Sequence, residues 1–345
     1  MVTRVVSWSV ASAALALGSL LAAAPVLAVP TDPRSAAGGA GAECAAALAC
    51  RAAEGVDARE ARLLRITRSI DDEALETVAE ALVAEGARGA LMGTGSARDR
   101  IARWARGEGE SASERAAGPR EALRSTLRDR VRDARVLATG ARIEPLRAPM
   151  TTVFARVRDA AERLVRSRTD MSAMDRSAAL ARLANVRLRW VDAQAFVADP
   201  DAPQSVALIR GCGHDLMRDE GWVSRSWEDV VVCPGFLALQ MELTSARGNG
   251  AELAAESATF LVAHELGHVI DASANDPASE RRADSWATAI LAEHVASRMA
   301  AGADGREIAA MALGSFCDLP GDDLHGDGTD RAVGAARALA PLLCR

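Results

Sequence analysis

The sequence predicts an α+β chain, and three observations carry that prediction. From about 56 to 185 apolar residues recur at helical spacing: Leu123, Leu127, Val131 and Ala134 form one stripe, Val153, Val157, Ala160, Ala161 and Leu164 another. Short β-branched runs appear only afterwards, at 191–197, 206–209 and 230–237. Two further helical stretches, about 251–273 and 277–300, follow the runs, and a loop-rich acidic tail is expected after them. The architecture implied is a small mixed sheet among helices, preceded by a mainly helical N-terminal region.

At the N-terminus, Arg4 precedes an apolar stretch over 5–27 that ends in Val26-Leu27-Ala28, with Pro30 and Pro33 directly behind it. This reads as a secretory signal over 1–28, with a mature chain starting near Val29. The apolar run is also long enough for an uncleaved membrane anchor. Export places the protein outside the cell, in the periplasm or in the cell envelope, with no stable membrane insertion once the signal is removed. Six cysteines suit that oxidising destination. Pairing sequence neighbours gives Cys44–Cys50, Cys212–Cys233 and Cys317–Cys344 as the simplest connectivity. No CxxC occurs, which argues against a thiolate zinc site.

Four segments follow from these signals: the signal peptide (1–28), a linker with Cys44 and Cys50 (29–55), a helical Arg-rich region (56–185) and a C-terminal domain (186–345). Glycine-rich breaks at 89–95 and 107–118 interrupt the helical region. All 41 basic residues are Arg, and the net charge is −6. That acidic balance excludes a dedicated nucleic-acid binder. Residues 98–168 hold 18 Arg against 10 acids, whereas 186–345 hold 13 Arg against 24. The basic region therefore reads as a prosegment or partner domain docked on the acidic half, or as a solvated helical face with charges alternating three or four apart; the second is the simpler account.

The chemistry is concentrated in Phe260-Leu-Val-Ala-His264-Glu265-Leu266-Gly267-His268-Val269-Ile270. On a helix His264 and His268 lie one turn apart on one face, as two ligands of a tetrahedral zinc must. Glu265 is rotated by about 100° from His264, beside the metal, where it can accept a proton from water. Apolar flanks are a poor place for two imidazoles and a carboxylate without a metal. A third ligand is needed. Pro277 suits a first helical position behind the N-cap Asp276, and on that helix Glu280 shares a face with Ala283, Ala287, Ile290 and Leu291. An acid in a first turn also complements the helix dipole. With paired imidazoles upstream, metal ligation is the reading adopted. Asp284, one turn on, is placed to orient a zinc-bound imidazole through its second nitrogen. Asp271 reads as capping or salt-bridged, His214 and His294 as structural histidines. The 230–237 run is either the edge on which an extended peptide lies or an interior strand.

HELGH followed by ExxAD resembles the gluzincin zinc metallopeptidases, over about 190–345. A metzincin continuation is absent, because Asp271 and Ala274 stand where that pattern needs Gly and His. The short span from His268 to Glu280 is most similar to uncharacterised bacterial metallopeptidase families. Those families, like the HtpX-type proteases, carry a His and an Arg six residues apart near the C-terminal end, matched here by His325 and Arg331. The resemblance implies a zincin-like core and one Zn2+ per chain on His264, His268 and Glu280. It further implies Glu265 as general base, with His325 and Arg331 on the substrate carbonyl or developing oxyanion. A peptide or protein substrate is implied, without nucleic acid. The chain lacks a Pro after His325 and later membrane spans, so prenyl-protein cleavage is not carried over. A non-catalytic protein stapled by zinc, or a zinc hydrolase of a non-peptide amide, would use the same ligands; oligomeric state is not legible.

Overall fold

A computed structural model describes residues 44, 47, 48, 56–109, 118–245 without 219, 225 and 227, 249–272, 277–317 and 327–344. Residues 1–28, expected to be a signal, and Cys50, Asp276 and His325 lie outside the described residues. The N-terminal region consists of α1 (Val56–Ala84), α2 (Ala97–Ala105), α3 (Gly118–Ser125), α4 (Leu127–Ile143), α5 (Arg147–Ser167) and α6 (Ala173–Asn185). Then come β1 (Arg187–Leu188), α7 (Ala193–Ala198), α8 (Pro203–Cys212), β2 (Gly221–Val223) and β3 (Asp229–Val232). Five helices follow: α9 (Pro234–Thr244), α10 (Gly250–Ser257), α11 (Thr259–Asp271), α12 (Pro277–Ala300) and α13 (Gly305–Cys317), and α14 (Gly328–Leu343) comes after them. The protein is mostly helical with a small mixed sheet, an α+β arrangement at that level.

Local chemistry starts the helices. Ser96 and Ser172 accept the backbone N–H of Asp99 and Asp175, three residues on. Proline opens α8, α9 and α12 from within the first turn, where its missing N–H costs nothing. The same rules correct three strand expectations. Over 191–197 the Asp192 carboxylate accepts from Gln194 N and Ala195 N, so a helix begins there. Pro203 turns 206–209 helical, and Pro234 ends the third run as a strand at Val232. The acidic tail is likewise corrected: α13 and α14 occupy it. Their buried faces are largely Ala and Gly, a weak periodic signal in sequence.

The sheet order is β1-β3-β2. β1 runs parallel to β3 (Leu188 opposite Val230), and β2 antiparallel to it (Trp222 opposite Val231). β3 is thus the interior strand, not the edge, and Val230, Val231 and Val232 are all buried. β2 lies over α11. A Cβ at Gly221 would come 3.1 Å from the Leu261 side chain, so the strand rests directly on the helix that carries the paired histidines.

One buried cluster runs from Ile66 and Ile70 of α1 through Val157, Leu183, Phe236, Phe260, Ile290 and Phe316 to Leu343. It crosses the boundary expected at 185–186. A second cluster joins Leu82, Leu91, Ile101 and Trp104 at the other end of α1. Cys212–Cys233 forms as expected. Cys44, however, pairs with Cys344, which excludes both Cys44–Cys50 and Cys317–Cys344; Cys317 is also disulfide-bonded. Neighbour pairing failed because the C-terminal end of α14 meets Cys44. The Arg-rich region pairs mostly with acids of the same region, as in Arg100–Glu76 (2.5 Å) and Arg130–Glu85 (2.7 Å), while Arg163 reaches Glu293 of α12 (2.7 Å). Among the described residues no helix is long and apolar enough to cross a membrane.

Candidate metal centre

Every residue of α11 from Thr259 to Ile270 is buried, which makes it the central helix of the core. Glycine is a poor helix former, and Gly267 is there because the neighbouring backbone is too close for anything larger. A Cβ at 267 would sit 2.8 Å from the Ala283 carbonyl oxygen and 2.9 Å from its Cα. α12 therefore lies almost backbone to backbone on α11. That approach carries Glu280, one turn before Ala283, to the two imidazoles.

The three side chains converge. Glu280 Oε2 is 3.0 Å from His264 Nε2 and 3.2 Å from His268 Nε2, and the two Nε2 atoms are 3.2 Å apart. All three residues are at most 4% exposed. Tetrahedral ligands about 2.0–2.1 Å from a zinc ion are spaced about 3.3 Å from one another, so the observed triangle has the dimensions of a ligand set. These three are the one group of His, Cys, Asp and Glu among the described residues arranged to hold a metal ion. Glu265, adjacent to His264, is equally buried.

Behind His264 stands a chain of charged groups. Its Nδ1–H donates to Asp284 Oδ1 (2.8 Å), because an ionised carboxylate only accepts, and that leaves the Nε2 lone pair for the metal. Arg331 donates through Nε to Asp284 Oδ2 (2.8 Å) and through Nη2 to Oδ1 (2.7 Å). Burial alone raises the Asp284 pKa, but the hydrogen bonds from His264 and Arg331 outweigh it and hold the carboxyl below its usual range. Burial likewise opposes charge on His264. In the metal-free protein the hydrogen bonds to Asp284 and Glu280, with the nearby Glu265 charge, win and push it up to about 9. The Nδ1 of His268 is buried without a hydrogen-bond partner among the described residues.

No family, curated protein or solved structure matches this chain. The centre is therefore read from its own residues. The structure brings together His264, His268 and Glu280, with Asp284 behind them. Arg331, for which the resemblance implies a contact with substrate, is bound to Asp284. His325 lies outside the described residues. Asp271 is salt-bridged to Arg282 (2.5 Å), and His294 is a structural histidine bonded to Glu256 (3.2 Å), both as expected; His214 is exposed.

Sequence reasoning missed two supports. Arg182 of α6 donates to the Val269 and Ile270 carbonyls (2.6 and 2.5 Å), satisfying orphan acceptors at the C-terminal end of α11. The Arg331 guanidinium lies over Phe316, 5.2 Å from its centroid. Neither is visible locally, since the partners are far apart in sequence. Gly267 did carry a signal: a glycine in mid-helix asks for a close neighbour.

Proposed function

We propose that the protein is an exported zinc-dependent metallopeptidase of gluzincin type, with a zincin-like core formed by the sheet, α11 and α12. The observation that carries this reading is the triangle of His264 Nε2, His268 Nε2 and Glu280 Oε2 at 3.0–3.2 Å, with a buried carboxylate, Glu265, next to it. Three protein ligands, not four, are what a catalytic zinc requires. A structural staple has no use for Glu265.

His264, His268 and Glu280 hold the ion. Bound there, zinc supplies Lewis-acid activation of water and of an amide carbonyl at neutral pH. Glu265 takes the proton of the attacking water and passes it to the leaving nitrogen. Asp284 keeps the Nδ1 proton on His264, so that Nε2 is the nitrogen that gives up its proton when the ion binds. The disulfides support an oxidising destination outside the cytosol.

Glu265→Gln tests the assignment. The variant should keep one zinc per chain by metal analysis while cleavage of denatured casein and of a mixed peptide library falls at least about 100-fold. Unchanged cleavage with zinc retained would refute the general base. Zinc retained by a wild-type chain that cuts neither peptides nor cell-wall amides would make the centre a staple.

A further inference from the structure

We propose that Arg331 is a positioning residue of the metal centre, holding the His264 ring through Asp284 from the side away from the metal. The inference rests on the metal-centre part of the reading above and departs from the substrate contact that the His325–Arg331 spacing implies.

The geometry decides between the two roles. Nδ1 and Nε2 flank Cε1 in the imidazole ring and direct their bonds to different sides of it. Glu280 and His268 meet His264 at Nε2, whereas Asp284 and Arg331 meet it at Nδ1. Arg331 therefore meets the ring on its Nδ1 side, and the ligand atoms gather on its Nε2 side. Arg331 Nη2 comes within 3.5 Å of Nδ1, but both atoms carry protons, so this is proximity and not a bond. Two of the three guanidinium nitrogens are committed to Asp284 in a parallel fork, the strongest arrangement available to an Arg–carboxylate pair. The guanidinium face lies over Phe316, whose ring meets Phe260 edge-on at 4.8 Å. Phe260 precedes His264 by one turn of α11, so Arg331 is braced against the same helix that it serves. Its side chain is 12% exposed.

A carboxylate held by one imidazole alone can rotate about its Cβ–Cγ bond and take the imidazole with it. Two parallel N–H donors fix the carboxylate plane, and with it the tautomer and tilt of His264. Lysine would keep the charge but lose the fork. Because His268 Nδ1 has no partner among the described residues, this is the device there that orients an imidazole ligand from behind.

The test uses the full mature chain and two probes, Zn2+ and Co2+, with affinity measured by chelator competition. Arg331→Met should weaken metal binding about 10- to 100-fold and alter the visible Co2+ spectrum. Arg331→Lys should recover only part of the loss, and it carries the same criterion if Arg331→Met does not fold. The Asp284→Asn/Arg331→Met double variant should bind no more weakly than Asp284→Asn alone, since Arg331 acts through Asp284. Wild-type affinity and spectrum in Arg331→Met, or losses that multiply in the double variant, would overturn the proposal. A wild-type chain that shows the Arg331 effect but cleaves no peptide would remove the peptidase reading and leave this one standing. A wild-type chain that binds neither ion would remove both.

Discussion

Glu256 makes an instructive contrast with Glu280, because both are buried carboxylates beside a histidine. Glu256 is bonded to His294 (3.2 Å), and Arg298 (3.3 Å) and Arg156 (3.7 Å) stand close by. Its surroundings are cations, so it is neutralised in place; Glu280 meets the Nε2 atoms of two imidazoles in a triangle sized for an ion. Burial raises the Glu256 pKa, but the His294 hydrogen bond and the three neighbouring charges outweigh it and hold it below its ordinary 4.5. The sign follows from linkage. A carboxylate depressed in the folded state contributes stability that is full above 4.5 and is lost as pH falls through the lower folded value. Glu256→Gln should therefore be destabilised by roughly 2 kcal/mol at neutral pH. In urea unfolding the gap from wild type should hold down to about 4.5 and narrow below it. Histidine roles of this kind are legible in sequence only where spacing is local: His264 and His268 declare themselves four apart, whereas the Arg331–Asp284 pair spans 47 positions and has no local trace.

The pair α11 and α12 sets the ligand distances, and Gly267 sets the spacing of that pair. Gly267→Ala would drive a methyl into the Ala283 backbone, 2.8 Å from its oxygen and 3.1 Å from Trp286 Cβ. Backbone cannot step aside as a flexible side chain can, so the helices must part by several tenths of an ångström. The expected outcome is a loss of about 1–3 kcal/mol in denaturant unfolding together with weaker zinc binding, since Glu280 withdraws with α12. An unchanged zinc affinity would show that the helix spacing does not limit the ligand triangle. α12 was legible from its Pro277 start and its length. α13 and α14 were not, because alanine-rich faces hide the contrast on which periodicity depends. The β-branched runs misled for a related reason: four apolar residues in a row suit a buried helix as well as a strand, and the capping carboxylate of Asp192 and the prolines decided.

Across the whole molecule, the region 56–185 is bound into the structure that carries the metal ligands. Arg182 caps α11, and Val153, Val157 and Val165 share its core. Removal of this region would uncover one side of the central helix. The sequence could not reveal this, because a helical face shows that it needs cover but not what covers it. The Cys44–Cys344 disulfide was not legible for the same reason, whereas Cys212–Cys233, between near neighbours, was. Replacing the Cys44–Cys344 bond with Cys44→Ser/Cys344→Ser should lower stability by roughly 2–5 kcal/mol in urea, with wild type in reductant moving the same way. No change in either experiment would mean that the two ends stay docked without the bond. That bond has a mechanical consequence as well. The two cysteines are 300 positions apart, so the chain between them is a covalent ring. A load applied at Cys44 and Cys344 would run through one sulfur–sulfur link and bypass the described helices between them. Stretched in an oxidising medium, the molecule would behave as a short tether; only a reducing agent would release the roughly 1,000 Å of contour stored inside the ring.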